Sequence, residues 1–300
     1  MCIRDRSHYT RYGSSSNSLS HTSILSLHKD MQGNIWVGTY YGGVNVFNPD
    51  KNNHSFYCAE PLREDCLSFP VVGKMTEDSA GNVWICTEGG GLNCYHGDTG
   101  VFSRYMYHKG DQGTLGSNNV KSIFYRKENN RLYAGTHLGG LFVLDLKSNK
   151  GHTLHHVTGD PASLPHEIVN DIQEYKDGIA MLTQGGPVFF DPVTEKFSPL
   201  TDDPSVQKLI SREYAFETFL IDSRQRMWLA VGGGGIVCVN LSSSKVTQYM
   251  ADSEKDTLTV GRYKTVHIFE DNKGDIYFST IGAGIFKYHC LLYTSPSPRD

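Results

Sequence analysis

The chain has 300 residues and a net charge of −4 at pH 7, with 38% hydrophobic and 20% charged residues. This balance is typical of a globular protein, and since Lys and Arg form no cluster, we expect no nucleic-acid partner. No apolar stretch approaches the roughly 20 residues of a membrane helix, and no charged and then apolar leader opens the sequence. The 7 cysteines show no CxxC pair and no Cys/His spacing that suits zinc, so we expect no metal site and no cofactor.

Both ends of the chain look foreign to a natural protein. Both ends resemble translated sequencing-adapter sequence, because DNA that encodes residues 290–295 has a reverse complement that contains most of a DNA string encoding residues 1–6. We therefore expect 1–6 and 290–300 to be non-native, and 7–289 to be a fragment of a longer protein.

A unit of about 48 residues recurs six times between these ends. The segments that carry it end 48, 49, 47, 48 and 49 residues apart, and all 3 tryptophans of the chain share one column of the repeat. Such a period indicates a β-propeller, in which each unit forms one sheet. The segments are 34–39, 82–87, 131–136, 178–183, 226–231 and 275–280, and the column holds Trp36, Trp84, Tyr133, Ala180, Trp228 and Tyr277.

Each unit predicts four short strands with a tight turn between the first two. The turn follows an Asp-x-x-Gly pattern, as in Asp30 with Gly33 and Asp78 with Gly81. Aspartate accepts a backbone N–H two residues on and glycine tolerates a positive φ, so we interpret these residues as scaffold. The pattern returns at Asp271 with Gly274, carries Asn130 in place of glycine in unit three, and has lost its glycine at Gln225 in unit five. The predicted strands of the first unit are 24–29, 34–39, 44–48 and 54–58.

The sequence thus predicts an all-β fold, a β-propeller of six blades, each a four-stranded antiparallel sheet. Large rings have a clear place there, because blades splay apart and a buried ring fills the widening wedge. Residues 8–12 read as the last strand of a blade and would complete the final unit. The six blades would then close a six-bladed ring, or form an arc of a seven-bladed one. The blade repeats lie near 23–70, 71–119, 120–167, 168–214, 215–263 and 264–289.

The turn, ring and glycine-pair columns of residues 30–44 and 78–92 resemble the two-component regulator propeller repeat. The linkers at 111–115 and 160–164 are similar to that family's Asp-Pro-x-Ser-Leu connector. The resemblance implies the periplasmic sensor region of an inner-membrane hybrid histidine kinase that recognises an oligosaccharide or similar small ligand. It further implies remaining sensor, transmembrane and kinase regions outside this chain, and it is compatible with a homodimer of the parent protein.

Propellers often bind ligands on the face built by the loops after the second and fourth strands of each blade. On that predicted face aromatic rings occur together with polar side chains, a composition that suits a sugar. The candidate ligand-binding residues are Tyr40, Tyr41, Glu88, His137 and Gln184 from one loop set, and Asn118, His166, Arg212, Tyr214, Arg262 and Tyr263 from the other.

Two other functions stay open on the sequence alone. The turn pattern also resembles repeats of streptogramin lyases and, loosely, the Asp-box of sialidases. A glycosidase needs two carboxylates about 5–9.5 Å apart, and the predicted face offers Glu88, Glu167 and Glu213. A protein-binding propeller would instead show a large apolar patch there. We expect recognition rather than catalysis and assign no catalytic residue.

Overall fold

Short strands pair into six sequential four-stranded antiparallel sheets, which we call blades 1 to 6, and the predicted β-propeller fold is confirmed. The computed structural model describes residues 18–50, 53–60, 63, 65–250, 260–289 and 292–294. The chain divides into two units, Met1–Leu154 with blades 1 to 3 and His155–Asp300 with blades 4 to 6. Within each unit, the first strand of a blade contacts the first strand of the next.

The described residues of the first unit form twelve strands. Blade 1 consists of β1 (Ile24–Lys29), β2 (Ile35–Thr39), β3 (Val44–Asn48) and β4 (Asn53–Tyr57). Blade 2 consists of β5 (Val72–Glu77), β6 (Val83–Thr87), β7 (Leu92–Tyr95) and β8 (Phe102–Tyr105). Blade 3 consists of β9 (Val120–Arg126), β10 (Arg131–Thr136), β11 (Leu141–Asp145) and β12 (Lys150–Leu154).

In the described part of the second unit there are twelve strands and three short helical segments. Blade 4 consists of β13 (Val169–Tyr175), β14 (Gly178–Thr183), β15 (Gly186–Asp191) and β16 (Lys196–Pro199). It is followed by the helix α1 (Pro204–Lys208) and a π-helical turn (Leu209–Glu213). Blade 5 consists of β17 (Phe216–Ile221), β18 (Arg226–Val231), β19 (Ile236–Asn240) and β20 (Val246–Tyr249). After a 3₁₀ turn (Val260–Arg262), blade 6 consists of β21 (Thr265–Glu270), β22 (Ile276–Thr280), β23 (Gly284–His289) and β24 (Leu292–Thr294).

The fourth strand of the last sheet lies inside a segment that the sequence analysis assigned as non-native. β24 pairs with β23, with Tyr293 opposite Tyr288. The predicted strand 8–12 and the other proposed non-native segment, 1–6, lie outside the described residues. In the part of the chain that the structure describes, no helix has the length and apolar character needed to cross a bilayer.

The first turn of a blade forms as the sequence predicts. Asp30 Oδ1 accepts the backbone N–H groups of Gln32 at 3.0 Å and Asn34 at 2.7 Å, and Gly33 closes the turn with φ of 83°. Where glycine is missing, Asn130 and Gln225 adopt the same left-handed backbone, with φ of 51° and 58°. The left-handed backbone of the turn therefore does not require glycine, and in blade 3, where Lys127 replaces the aspartate, it forms without the carboxylate as well.

The same carboxylate has a second role that the sequence analysis missed. Asp Oδ2 accepts the indole Nε1–H of the ring column at 2.8 Å in the pairs Asp30–Trp36, Asp78–Trp84 and Asp222–Trp228. In blade 6 the hydroxyl of Tyr277 donates to Asp271 at 3.0 Å. One aspartate thus fixes both the turn and the ring.

The ring column packs between blades, as predicted. Trp84 is 3% exposed and lies in a cluster with Cys94, Leu132 and Phe142 from blades 2 and 3. Tyr277 is only half-buried. In blade 4, Ala180 faces Phe189 across β14 and β15, so a ring on the neighbouring strand fills the space that the alanine leaves.

At the other end of the blade, a threonine closes the reversal between the second and third strands. Thr39 and Thr87 donate their hydroxyls to the carbonyls of Gly43 and Gly91, at 2.8 and 2.7 Å. Gly43 has φ of 70°, and a Cβ there would clash with the carbonyl oxygen of Tyr57. Backbone approach between β3 and β4 therefore requires this glycine.

Three cysteines are buried as free thiols: Cys86, Cys94 and Cys238. Burial raises the pKa of Cys94 and of Cys238 to about 12 each, from an ordinary value of 9.0, and also raises the pKa of Cys86. These thiols therefore pack as small apolar groups in the protonated form.

Substitution of Trp84 tests how much the buried ring between blades 2 and 3 stabilises the fold. We expect Trp84→Ala to lower the free energy of unfolding by about 3–5 kcal/mol, because a large buried side chain is lost. Trp84→Phe keeps most of the ring but removes a donor to buried Asp78, and should cost about 1–3 kcal/mol. Urea unfolding measures both. The control is Tyr133→Phe, whose ring is equally buried and whose hydroxyl accepts from Asn129 at 2.8 Å in a blade without a turn aspartate. A Trp84→Phe variant as stable as the parent would contradict the role of the carboxylate.

The buried thiols predict a loss of stability in alkali. Their pKa is raised in the folded chain, so the unfolded chain loses protons first as the pH rises above about 9. Each thiol should then lower the free energy of unfolding by about 1.4 kcal/mol per pH unit until its folded pKa is reached. Urea unfolding at pH 8, 9 and 10 measures the slope. Cys238→Ala should be less steep than the parent, and an unchanged slope would contradict the prediction.

Candidate functional site

The predicted ligand residues of the first unit lie at one end of its sheets. Tyr40, Glu88 and His137 each follow the second strand of a blade, and Asn118 precedes β9. The carbonyl of Asn118 accepts the N–H groups of Gly89 and Gly91, at 3.1 and 2.8 Å. Its side chain accepts the N–H of Tyr107 at 2.7 Å. Asn118 therefore holds the loops in place, a structural role that the sequence did not reveal.

Two adjacent tyrosines form the most exposed aromatic feature of this loop surface. The rings of Tyr40 and Tyr41 lie 4.6 Å apart at 78°, and the side chains are 42% and 61% exposed. His21 contacts the other side of Tyr40, with ring centroids 6.5 Å apart. We call Tyr40, Tyr41 and His21 the aromatic patch. Its exposed ring faces are suited to stacking on an apolar ligand surface.

Tyr41 holds an unfavourable backbone conformation. Its φ is 68°, in the left-handed region, whereas the matching residue of blade 2 is Gly89 and that of blade 6 is Gly282. In blade 3 the position is Leu138, with φ of 60° and 65% exposure. A residue with a Cβ costs about 1–2 kcal/mol there, and such strain often marks sites of function.

A charged pair borders the aromatic patch. Lys121 Nζ lies 3.1 Å from Glu88 Oε1, and both side chains are partly exposed. The neighbouring Tyr41 raises the pKa of Tyr40 above its ordinary value, and the charge of Glu88 adds to this shift. Sequence reasoning missed Lys121 because it lies inside β9, and only loop residues were considered as ligand contacts.

In the second unit, several predicted ligand residues have structural contacts. His166 Nδ1 accepts the N–H of Ile168 at 3.0 Å. The half-buried rings of Tyr214 and Tyr263 pack on the blade cores, 5.9 Å from Phe216 and 6.0 Å from Phe286. Gln184 and Arg262 are exposed, and Arg212 lies in the π-helical turn. An ion pair between Lys264 and Glu217, at 2.8 Å, lies next to these loops and was also missed.

Two of the three carboxylates that would suit an enzyme have other partners. Glu88 pairs with Lys121. Glu167 accepts the backbone N–H of His156 at 2.8 Å and lies 3.1 Å from Nδ1 of His155, while Glu213 lies in the π-helical turn. Among the described residues, no group of three or more His, Cys, Asp or Glu could hold a metal ion.

Comparison with known families identifies the first repeat. Residues 18–41, which include β1, the aspartate turn, β2 and both exposed tyrosines, match the two component regulator propeller family. This confirms the resemblance predicted from the turn and ring columns. No curated protein matches the chain.

Solved structures share the fold at low identity. The extracellular domain of a putative hybrid two-component system from B. thetaiotaomicron superposes with a TM-score of 0.71 and 23% identity, over 93% of this chain and 35% of that chain. A second such domain from B. thetaiotaomicron gives 0.69 and 19%, over 91% and 36%. PorZ, a surface component of the type-IX secretion system of Porphyromonas gingivalis, gives 0.66 and 13%, over 96% and 43%. The chain spans about a third of the length of the two B. thetaiotaomicron domains.

Two glycine substitutions test the strain at the aromatic patch. Tyr40→Gly and Tyr41→Gly both remove the same ring pair, but only Tyr41 has a positive φ. We expect Tyr41→Gly to be more stable than Tyr40→Gly by about 1–2 kcal/mol, because glycine adopts the left-handed region without a steric penalty. Urea unfolding of the two variants measures this difference. Equal stabilities would show that Tyr41 carries no strain.

Proposed function

We propose that this chain, in which residues 18–41 carry a two-component regulator propeller repeat, belongs to the ligand-sensing region of a hybrid two-component sensor histidine kinase and recognises an oligosaccharide. The similar solved structures include two extracellular domains of such systems, which supports a periplasmic location. The transmembrane and kinase regions would lie outside this chain. The observation that carries the proposal is the exposed Tyr41 ring, held in a strained backbone beside Tyr40.

The chemistry of this surface suits a sugar. A pyranose presents apolar C–H faces that stack on aromatic rings, and hydroxyl groups that need donors and acceptors. The aromatic patch offers two perpendicular rings, and the bordering pair of Glu88 and Lys121 offers one acceptor and one donor of hydrogen bonds. A ligand that bridges the patch and this pair would use both kinds of contact.

The pairing of Glu88 favours recognition over hydrolysis. A glycosidase uses a raised-pKa carboxyl group as its acid and a second carboxylate about 5–9.5 Å away. Glu88 is instead engaged in an ion pair, with Lys121 Nζ 3.1 Å from its Oε1. In a sensor, the same ion pair would serve to orient hydroxyl groups.

Titration calorimetry with a panel of plant and microbial oligosaccharides tests the proposal. We expect one class of saccharide to bind, and chromatography of the incubated sugar to show no cleavage. Tyr41→Gly should weaken that binding about tenfold or more, because the stacking ring is lost while the backbone relaxes. The matched control is Leu138→Gly, which relieves a comparable left-handed residue without removing a ring, and which should bind like the parent.

Two outcomes would contradict the proposal. Cleavage of the bound saccharide, abolished by Glu88→Gln, would favour the lyase or glycosidase alternative. Binding that is equally strong in the parent and in a folded Tyr41→Gly variant would place the ligand away from the aromatic patch.

A further inference from the structure

Three aromatic rings form a cage between blades 1 and 2. The indole of Trp36 stacks on Tyr57 at 6.1 Å with an interplanar angle of 11°, and meets the edge of Tyr95 at 5.0 Å and 64°. The hydroxyl of Tyr57 donates to that of Tyr95 at 3.1 Å. Asp30 closes one side by accepting the indole N–H at 2.8 Å. We call these four residues the first cage.

Blades 5 and 6 repeat this arrangement with matched residues. The indole of Trp228 stacks on Tyr249 at 6.1 Å and 22°, and meets Tyr288 at 4.8 Å and 61°. The hydroxyl of Tyr249 donates to that of Tyr288 at 3.4 Å, and Asp222 accepts the indole N–H at 2.8 Å. We call these four residues the second cage. The two cages agree in every ring pair and in the position of the carboxylate.

The second cage holds a cation from its own chain. The guanidinium carbon of Arg226 lies 4.9 Å from the ring centroid of Trp228 and 5.7 Å from that of Tyr288. Its Nε donates to Asp222 Oδ2 at 2.7 Å. A guanidinium in this place gains from both ring faces and from the buried carboxylate. The fold therefore builds a guanidinium-binding cage at this position of the blade.

In the first cage the residue that matches Arg226 is Asn34. Its Nδ2 donates to Asp30 Oδ2 at 2.7 Å and so takes the place of the Nε–H of Arg226. Asparagine has no group in the place of the other two guanidinium nitrogens, and it has no positive charge. A cavity of about 150 Å³ lies there, and its lining includes Asp30, Asn34, Trp36, Asn48, Tyr57 and Tyr95. A cavity of about this volume accommodates benzene, so the four heavy atoms of a guanidinium fit within it.

The first cage also carries the negative charge that a cation-binding site needs. Among the described residues, no Lys or Arg forms an ion pair with Asp30, whereas Arg226 neutralises Asp222. A second carboxylate, that of Glu77, lies beside the same turn and accepts the N–H of Met31 at 2.7 Å. A ligand with one positive charge would restore the balance that the second cage has within its own chain.

We propose that the first cage binds the guanidinium group of an external molecule. The site goes beyond the proposed sensing of a saccharide and is separate from it, since the cage lies at the β1–β2 turn and the aromatic patch at the opposite end of the same strands. A monosubstituted guanidinium would stack on the faces of Trp36 and Tyr95 beside the negative charge of Asp30, while Asn34 keeps its direct hydrogen bond to that carboxylate. Free guanidino compounds and exposed arginine side chains share this chemistry.

Titration calorimetry of the whole chain with methylguanidinium, and separately with an arginine tripeptide blocked at both ends, tests the proposal. We expect methylguanidinium to bind at one site, and urea, which has the same shape without the charge, to bind at least tenfold more weakly. Binding of the tripeptide as well would identify an exposed arginine side chain as a competent source, and binding of methylguanidinium alone would limit the site to small molecules.

Two variants separate the cage from other sites. Asn34→Arg should supply the guanidinium from within, as in blade 5, and so abolish methylguanidinium binding while raising the melting temperature. The matched control is Asn82→Arg in blade 2, where Leu144 stands in the place of Tyr95, and which should leave binding unchanged. Tyr95→Leu should weaken binding about 2- to 30-fold.

Several results would overturn the proposal. The proposal is wrong if neither probe binds the parent chain, or if urea binds as tightly as methylguanidinium. It is also wrong if a folded Asn34→Arg variant binds methylguanidinium like the parent. Because saccharide binding is measured at the aromatic patch, loss of that function through Tyr41→Gly would leave methylguanidinium binding intact.

Discussion

A hydrogen bond from the indole N–H of a blade to its turn aspartate is the constraint on which the rest of the blade depends. The carboxylate uses one oxygen to hold the turn and the other to hold the ring, as Asp78 does with Asn82 and Trp84. A carboxylate that is only 4% exposed is costly to bury unless its oxygens are satisfied, and here backbone and indole donors satisfy both. The position of the wedge-filling ring and the conformation of the turn are thereby set together.

Blades 3 and 4 depart from the pattern, and each lacks both the turn aspartate and the indole. Blade 3 has no turn aspartate, and its ring is Tyr133, whose hydroxyl accepts from Asn129 instead. Blade 4 shortens the turn to two residues, with Lys176 at φ of 52°, and replaces the ring by Ala180. The facing Phe189 restores the lost volume. An aspartate without its indole, or an indole without its aspartate, would leave a buried polar group unpaired. Losing both groups together therefore costs less stability than losing one of them.

Much of the fold was predictable because its signals are local. The period, the turn chemistry and the ring column identified the propeller and placed the strands of blade 1 within one residue. The carboxylate–indole bond was missed because the turn explained the aspartate and burial explained the ring, so nothing in the sequence required a contact between them. Lys121 was missed because only loop residues were considered, and the packing of Tyr214 on Phe216 was missed because that tyrosine was assigned to a loop facing a ligand. The helix α1 begins at Asp203-Pro204, whose capping pattern the repeat obscured.

The acceptor, the turn and the indole of a blade lie within seven consecutive residues, from Asp30 to Trp36 in blade 1. Every polar group that this network buries is therefore copied whenever the unit is duplicated, and removed whenever the unit is deleted. Recombination that changes the number of units leaves this network intact and alters instead the contacts between neighbouring blades, where apolar packing tolerates side chains of similar volume and polar pairs such as Glu77 with Met31 must be replaced. Propellers built on this hairpin can therefore gain or lose repeats during evolution without leaving the turn aspartate of any blade unpartnered.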